Sequence, residues 1–504
     1  MPIYIALFLV ILPFASISAS LTNKIVGVGP NNAIKPYICI QNQQGAVTLS
    51  LAPDQSGDAN KASGNAYYAG GALRFGGCAS ANTYLGYVGF NINDAGNNAI
   101  SSYAPPEGVH ITYNHPAISS RGIVTGDINY TLIKPNYTVT PAKTNTTWEF
   151  VGVNLSGLEF GKVIDPVVIP NLSIEDALLP SSDLTEIQTF IDKGLNTIRL
   201  PISWGFLQVN GAGIGGLNND YYMNYIRPLL QTLTHAKVHT IVDLHAYMRY
   251  SIFGKEYSGC SPEGPCPDGH LILDEVAYQS VWGQLGDIIQ QDDSIDKDYI
   301  LFDLMNEPVG VPDDKVFTIQ ASIIRLLRNK NFSGNILVEG NNWSGLHSFT
   351  NAQWTGSDGE IYSNASLFTR NNFEKAGIKD LSHILINVHQ YLDKDYSGTQ
   401  ALCQQDLTTT GASGFNLNAF VDYLEENQLK AIVTEFGTSQ NAASCREPLV
   451  HFLQYLADNS AKDKDYGFVG WTLWSTGHGW GDYPLRVKTT SYQMDVLSEF
   501  LSQQ

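Results

Sequence analysis

Residues 299–307 read YILFDLMNE, and residues 429–436 read LKAIVTEF. Both stretches are apolar and rich in residues that favour strands, and each brings a glutamate, Glu307 or Glu435, to its end. Pro308 and Gly437 follow these glutamates directly or within two residues, so both segments are expected to stop there. Short apolar strands are typical of a parallel sheet that is buried on both faces. The two stretches therefore predict a sheet that presents two carboxylates at one edge.

Similar apolar runs recur along the rest of the chain. We count eight, at residues 148–153, 196–201, 238–245, 299–307, 335–339, 383–389, 429–436 and 467–474. Helical patterns lie between them, at residues 183–193, 221–236, 274–290, 314–328, 416–427 and 447–457. Eight such units in residues 148–504 predict an α/β fold, a (β/α)8 TIM barrel with insertions. The alternative, a doubly wound open sheet, would be expected to carry a glycine-rich phosphate loop, and VGVN at residues 151–154 is not one.

The carboxyl ends of the predicted strands carry an unusual set of polar and aromatic side chains. Such ends face the active site of a TIM barrel. The residues at these positions are Arg199, Asp243, His245, Asn306, Glu307, His389, Tyr391, Glu435 and Trp474. One buried glutamate at a strand end could be structural, paired with an arginine. Two glutamates among these neighbours favour catalysis, because two facing carboxylates are the working parts of a glycosidase. Asp243 is expected to support its neighbours.

Residues 148–485 resemble glycoside hydrolase family 5, a family of retaining cellulases and related β-glycanases. The resemblance rests on IRLP at 198–201, His245, NEP at 306–308, TEFG at 434–437 and HQYLDKDYSGT at 389–399. The last of these motifs, followed by Cys403, is closest to the fungal-type endoglucanase branch.

The resemblance implies a role for each matching residue. Glu307 would be the proton donor and acid/base, with a raised pKa, and Glu435 the nucleophile, kept ionised by Arg199. A retaining mechanism implies carboxyl groups about 5–5.5 Å apart and a covalent glycosyl–enzyme intermediate. The substrate-binding residues would be Arg199, His245, Asn306, His389, Tyr391 and Trp474. This chemistry requires no metal and no other cofactor.

The implied activity is that of a secreted retaining endo-β-1,4-glucanase acting on β-glucan. Ala246 departs from the family, which often has asparagine directly after the histidine, and this puts the preferred glycan in doubt. A mannanase, xyloglucanase or exo-glucanase is the closest alternative, because one barrel and one carboxylate pair serve all of them. A non-catalytic glycan-binding protein would be expected to lack one carboxylate. Trp204 and Trp343 are equally consistent with packing and with sugar binding, and Trp480 could line a subsite.

The first twenty residues and the cysteines indicate export. Residues 3–17 are almost entirely apolar, and the small residues at 18–20 suit cleavage, so we predict a signal peptide at residues 1–20. The alternative is a membrane anchor, which needs about 20 apolar residues. The six cysteines fit disulfides in an oxidising compartment; they are Cys39, Cys78, Cys260, Cys266, Cys403 and Cys445. Their number leaves the connectivity open, but similarity to the endoglucanase branch implies that Cys403 pairs with Cys445.

Residues 21–134 differ from the barrel region in composition. They are rich in glycine, asparagine, alanine, serine and tyrosine, and their short β-prone stretches predict a small all-β, sandwich-like domain. Residues 135–147 contain two prolines and five threonines and are expected to be a linker. A tethered β-rich domain suits a carbohydrate-binding module, although an accessory domain that packs against the barrel is equally consistent.

The charge balance limits the partners. With 48 acidic and 29 basic residues, the net charge of −19 repels nucleic acid and anionic membranes. A neutral polysaccharide is compatible with this surface. We expect a monomer without stable membrane association.

Overall fold

The computed structural model describes residues 141–142, 148–164, 167–170, 182–251, 270–403, 417–440, 442–477, 480 and 483–502, together with strand segments between residues 20 and 132. The chain divides into two compact units, Met1–Pro135 and Asn136–Gln504. The predicted signal peptide up to residue 19, most of the predicted linker and most of the loop at residues 253–271 lie outside the described residues.

The described segments of the first unit are strands. One sheet orders Ser20–Val28, Ile34–Gln41, Leu73–Phe75 and Tyr87–Val88, and a second orders Val47–Leu51, Val124–Leu132 and Val109–Ile118. Ile92–Asn93 pairs with Ala99–Ser101. The sandwich architecture of this unit, its boundaries and its role stay predictions.

Eight parallel strands close into a barrel in the second unit. They are β1 Phe150–Leu155, β2 Thr197–Ile202, β3 His239–Leu244, β4 Ile300–Asp303, β5 Ile336–Glu339, β6 Ile384–Tyr391, β7 Lys430–Gly437 and β8 Gly467–Thr476. β1 pairs with both β2 and β8, which closes the ring. Each strand overlaps one of the eight apolar runs. The TIM-barrel prediction is confirmed, and the doubly wound alternative is wrong.

Among the described residues, seven helices lie between successive strands of the barrel, and an eighth follows the last strand. We label them α1 Ser182–Asp192, α2 Arg227–His235, α3 Glu275–Gln290, α4 Asp313–Asn329, α5 Arg370–Lys375, α6 Asn418–Asn427, α7 Arg446–Asp458 and α8 Tyr492–Ser502. The sequence patterns did not predict α5 or α8. Short helical turns lie at Trp204–Leu207, Asn219–Tyr221, Tyr222–Ile226, Lys297–Tyr299, Asn364–Leu367 and Ala443–Cys445. Small antiparallel pairs are Gly161–Ile164 with Val167–Pro170, Arg249–Tyr250 with His270–Leu271, and Trp354–Thr355 with Ile361–Tyr362.

Close packing on both sides of β1 depends on two glycines. A Cβ atom at Gly152 would lie 1.7 Å from the carbonyl oxygen of Thr197 on β2. A Cβ atom at Gly470 on β8 would lie 1.9 Å from the carbonyl oxygen of Phe150. Any side chain at these positions would push neighbouring strands apart, so the two glycines permit the barrel to close.

The barrel interior is apolar near the strand starts and polar near the strand ends. The apolar cluster contains Phe150, Ile241, Leu301, Leu337, Leu385, Ile432, Ala461 and Val469. Burying each large side chain contributes about 1.5–3 kcal/mol, so this layer stabilises the ring of strands. The fully buried polar residues beyond it, among them Arg199, Asp243, Asp303 and Glu339, are shielded from bulk solvent and form ion pairs with one another.

A disulfide links the chain segments that follow β6 and β7. Cys403 and Cys445 are bonded, with Cα atoms 5.1 Å apart, and this is the pairing that the family resemblance implied. Cys78, Cys260 and Cys266 lie outside the described residues, and the side chain of Cys39 is not described either. None of the helices in the described part of the chain is long and apolar enough to cross a membrane.

Candidate active site

Glu307 lies just beyond the carboxyl end of β4, in a left-handed backbone conformation. Its φ of +46° is uncommon for a residue other than glycine. The backbone N–H of Glu307 donates to Oε2 of Glu339, at the end of β5, over 2.7 Å. Oε1 of its own carboxyl group lies 2.8 Å from Nδ1 of His389 on β6. The side chain is 14% exposed, so it is held at both ends and still reaches solvent.

Glu435 lies on β7 and is almost fully buried. Its Oε1 accepts a hydrogen bond from Nη1 of Arg199 at 2.7 Å, and its Oε2 accepts one from the Tyr391 hydroxyl at 2.9 Å. A carboxylate oxygen of Glu435, a carboxylate oxygen of Glu307 and a ring nitrogen of His389 all lie within 4.8 Å of one another. The barrel therefore brings the two glutamates, which are distant in sequence, side by side.

Arg199, on β2, is the centre of a buried ion-pair cluster. It is fully buried, and its Nη2 donates to Oδ1 of Asn306 at 2.7 Å. Its Nε donates to Oδ2 of Asp303 at 3.0 Å, and its Nη2 lies 3.1 Å from Oδ2 of Asp243. An unpaired buried guanidinium would be strongly destabilising, so these carboxylates compensate the charge. They also fix the orientation of Arg199 toward Glu435.

The imidazole of His389 connects the two glutamates. Its Nδ1 faces Glu307, while its Nε2 lies 3.0 Å from Oγ1 of Thr434 and 3.4 Å from Oε1 of Glu339. Burial acts to lower the pKa of His389, but the negative charges of Glu339 and Glu435 outweigh burial and hold this pKa well above its usual range. A raised pKa favours the imidazolium form, in which both ring nitrogens can donate.

The pKa values of the two glutamates are shifted in opposite directions. Burial raises the pKa of Glu307, and the hydrogen bond from His389 offsets this rise only in part. Burial also acts to raise the pKa of Glu435, but the charges of His389 and Arg199 outweigh it and lower that pKa. Opposite pKa shifts in two neighbouring carboxyl groups are typical of a pair with separate acid and base roles.

His245 and Trp474 form another side of the same site. Nδ1 of His245 lies 2.8 Å from Oδ2 of Asp243, and its Nε2 lies 3.4 Å from Nδ2 of Asn306. Burial acts to lower the pKa of His245, but Asp243 raises it to about 9. The ring of Trp474, which is 6% exposed, stacks on His245 with centroids 5.5 Å apart. The eight residues that the sequence singled out as catalytic or substrate-binding thus lie in one connected site.

Several polar residues of this site were missed from the sequence. Asn387 donates from Nδ2 to Asp303 at 2.9 Å and to Glu339 at 2.8 Å. Asn154 accepts from Nη1 of Arg199 at 3.1 Å. Glu339 was detectable, because residues 335–339 form an apolar run that ends on a glutamate, as the runs ending on Glu307 and Glu435 do. Asp243 is the buried supporting partner that we expected.

The tryptophans divide into buried and exposed residues. Trp204 is 1% exposed and packs against Tyr278, so its role is packing. Trp343 is 46% exposed, and its backbone N–H donates to the carbonyl of Pro308 at 3.1 Å, next to Glu307. Trp480 stacks on Tyr483 with centroids 4.1 Å apart.

The spacing of Glu307, His389 and Glu435 would also permit metal coordination. A metal ligand must offer a lone pair. These groups already have partners within the protein, because Arg199 and Tyr391 bond Glu435 and His389 bonds Glu307.

Comparison with known proteins places these residues in a family. The family model for cellulase, glycosyl hydrolase family 5, matches residues 170–477. Endoglucanase 1 of Robillarda sp. is 33% identical over 271 residues, covering 54% of this chain and 62% of that relative, which is less than two thirds of its length. Endo-beta-1,4-glucanase B of Aspergillus niger is 26% identical over 365 residues, covering 71% of this chain and 92% of the relative.

Solved structures agree with the family match. The crystal structure of a triple mutant of an endo-beta-1,4-glucanase from Xanthomonas axonopodis pv. citri covers 70% of this chain and 99% of its own, with 28% identity and a TM-score of 0.53. The family model spans the barrel from the segment before α1 to the end of β8, and therefore includes Glu307 and Glu435. The chain is a glycoside hydrolase and belongs to the cellulase family, glycosyl hydrolase family 5.

Proposed function

We propose that this protein is a secreted, retaining endo-β-1,4-glucanase that hydrolyses β-glucan with Glu307 and Glu435. The observation that carries the proposal is the separation of these two carboxylates, whose oxygens lie within 4.8 Å. Retaining glycosidases hold their carboxyl groups about 5–5.5 Å apart, whereas inverting enzymes leave about 6.5–9.5 Å for a water molecule. The spacing therefore supports direct attack on the sugar by one carboxylate.

In this mechanism Glu307 is the general acid/base. A raised pKa favours the protonated form, which can donate a proton to the departing glycosidic oxygen. In this proposal His389 donates to Oε1 of Glu307, which places the acidic proton on Oε2. In the second step the same residue, now ionised, accepts a proton from the attacking water.

Glu435 is the nucleophile. Its lowered pKa keeps it ionised, and Arg199 and Tyr391 each hold one of its oxygens, which orients the carboxylate for attack. Its bond to the anomeric carbon forms as the bond to the leaving group breaks. Asn306 is fixed by Arg199 and would donate to the sugar 2-hydroxyl, a contact that strengthens in the transition state.

The remaining site residues would bind the polysaccharide. His245 would face the bound sugar, His389 would act by holding the carboxyl group of Glu307, and the exposed part of Trp474 would lie against a sugar ring. Trp343, which is 46% exposed and is hydrogen-bonded through its backbone to Pro308, suits a further sugar ring near Glu307. The named endo-beta-1,4-glucanase relatives support a β-1,4-glucan as the substrate.

Export and a monomeric state complete the proposal. The Cys403–Cys445 disulfide supports an oxidising compartment. The net charge of −19 supports a soluble protein that does not bind nucleic acid.

Azide rescue of two alanine variants tests the roles of the glutamates. Glu435→Ala should abolish hydrolysis while the protein stays folded, and added azide should yield the α-glycosyl azide, because azide replaces the nucleophile. Glu307→Ala should accept an activated aryl glycoside and give the β-glycosyl azide, because azide then attacks the covalent intermediate. Both products are identified by NMR. Near-wild-type turnover in Glu435→Ala would refute the assignment.

The preferred glycan is tested with a panel of polymers. Carboxymethylcellulose, mannan and xyloglucan should be compared at equal enzyme concentration, with reducing ends and product lengths followed over time. An endo-β-1,4-glucanase should cleave carboxymethylcellulose fastest and release oligosaccharides of mixed length early. Failure on every β-1,4-glucan would favour one of the other β-glycanase activities.

A further inference from the structure

Glu339 is a buried carboxylate that the proposed mechanism does not use. It ends β5 and is 0% exposed. Its backbone is clamped by Gln320 of α4, which accepts from the Glu339 N–H at 2.9 Å and donates to its carbonyl at 2.7 Å. Because the Glu339 side chain has no access to bulk solvent, its carboxyl group interacts with neighbouring groups of the protein.

In every described polar contact of the Glu339 side chain, the partner is a hydrogen-bond donor. Oε2 accepts from the N–H of Glu307 at 2.7 Å, and Oε1 accepts from Asn387 at 2.8 Å. Nε2 of His389 and Nη2 of Arg199 lie 3.4 Å and 3.5 Å from Oε1. Burial raises the pKa of Glu339 to about 8, yet four donors around one carboxyl group are satisfied by the anion and not by the protonated acid. The contacts therefore favour ionised Glu339.

Two of these donors belong to the immediate surroundings of Glu307. The N–H of Glu307 belongs to a residue in the left-handed backbone conformation. This conformation is unfavourable for glutamate, so it must be stabilised by contacts with neighbouring residues. His389 is the residue that bonds the Glu307 carboxyl group from the other side. Glu339 thus touches the backbone of Glu307 directly and reaches its carboxyl group through one intervening imidazolium.

We propose that Glu339 is a positioning residue for the acid/base Glu307. It holds the backbone of Glu307 in the conformation that aims the carboxyl group, and it holds His389 as the cation that binds that group. The inference rests on the proposed function, since it requires Glu307 to be the acid. Glu339 itself does not touch the substrate.

The dependence of the rate on the leaving group separates positioning from general stability. A dinitrophenyl cellobioside leaves without protonation, whereas a cello-oligosaccharide needs the acid. Misplacing the acid should therefore slow the second substrate much more than the first. For Glu339→Gln we expect kcat/KM to fall at least about tenfold for cello-oligosaccharide and less than about threefold for the aryl glycoside, with the loss in kcat rather than in KM.

Asp303→Asn is the matched control. Asp303 is a carboxylate of the same buried cluster and shares Arg199 and Asn387 with Glu339, but none of its described hydrogen bonds goes to Glu307 or His389. Because the nucleophile acts on both substrates, this variant should slow both by a similar factor. Equal losses, or no loss, for both substrates in a folded Glu339→Gln variant would overturn the proposal.

Two further variants keep the outcome interpretable. Glu307→Gln must itself show the leaving-group selectivity; if it does not, the proposed function fails, whatever Glu339 does. If Glu307→Gln shows it and Glu339→Gln does not, only the role of Glu339 is refuted. Should Glu339→Gln fail to fold, Glu339→Asp keeps the charge but shortens the side chain, and the same selective loss is expected from it.

Discussion

At the scale of single residues, the site is defined by which atoms donate to which carboxylate. Glu307 and Glu435 are chemically identical, and only their partners differ. Arg199 and Tyr391 donate to Glu435, whereas the side chain of Glu307 receives its hydrogen bond from His389 alone among the described contacts. This difference supports assigning the two glutamates to separate roles, and it makes the donors to Glu435 the most informative residues to change.

Tyr391→Phe should move the acid limb of the pH profile. The hydroxyl of Tyr391 donates to the ionised form of Glu435 at 2.9 Å, so removing it should raise the pKa of Glu435. The nucleophile would then lose its charge at a higher pH, and the acid limb of kcat/KM should shift to higher pH, with the maximum reduced by about tenfold. The measurement is kcat/KM on a soluble substrate between acid and neutral pH.

Tyr455→Phe is the control for this shift. Tyr455 lies on α7 and donates to the carbonyl of Leu417 at 2.7 Å, away from the two glutamates. The pH profile of kcat/KM for Tyr455→Phe should match that of the wild type. An unchanged acid limb in Tyr391→Phe would contradict the role of this hydroxyl in keeping Glu435 ionised.

At the scale of elements, the start of β3 contributes to acid sensitivity. The ring of His239 packs between Phe150 and Tyr299, with centroids 4.9 Å and 5.0 Å away, and its buried Nδ1 has no described hydrogen-bond partner. Burial lowers the pKa of His239 to about 4. The unfolded chain therefore binds a proton between about pH 6.5 and 4 that the folded chain does not, so this residue costs stability as the pH falls through that window.

His239→Leu should reduce the loss of stability in acid. As the pH is lowered from 7 to 4, the free energy of unfolding should fall less in the variant than in the wild type. The difference between the two decreases should be on the order of 2 kcal/mol. Urea unfolding at a series of pH values measures this difference. A difference that stays constant with pH would show that His239 does not titrate on unfolding.

The disulfide between the segments after β6 and β7 is a second element-scale feature. It joins two segments that follow the strands carrying Tyr391 and Glu435, at a sequence separation of 42 residues. Replacing both cysteines by alanine removes a constraint on the unfolded chain and should lower the free energy of unfolding by about 2–4 kcal/mol. Unfolding in urea without reductant measures the change. Equal stability of the variant and the wild type would contradict the contribution expected from this link.

At the scale of the whole molecule, the eight site residues belong to one compact unit. All of them lie within Asn136–Gln504. A chain that begins at residue 136 should therefore hydrolyse a soluble cello-oligosaccharide with kcat/KM within about twofold of the full chain, because binding energy at the site is unchanged. A large loss on the soluble substrate would show that the first unit contributes to the site or to folding.

Insoluble cellulose tests the role of the first unit. A carbohydrate-binding module raises the local concentration of enzyme on the polymer, so its removal should lower activity on insoluble cellulose but not on soluble substrate. An accessory domain should leave the ratio of the two activities unchanged. The measurement is this ratio for the full chain and for the shortened chain.

The sequence by itself determined the architecture and predicted which two glutamates form the reactive pair. The period, length and apolar content of each run are local properties of the sequence. Eight apolar runs that alternate with helical patterns are sufficient to predict a TIM barrel. The same local reading placed Glu307 and Glu435 at strand ends. The short α5 and the late α8 were missed because a brief or weakly patterned helix depends more on tertiary packing than on its own sequence.

Only the tertiary structure decided how the site residues differ in state and role. Strand ends that are far apart in the sequence become neighbours when β1 pairs with β8, and burial then makes each charge depend on its partners. Glu339 illustrates the limit of prediction from sequence. Its strand was predicted, but its contact with the Glu307 backbone arises only from the left-handed turn after β4. Local pattern determines which residues reach the end of the barrel, whereas distance and burial determine which carboxyl group holds a proton.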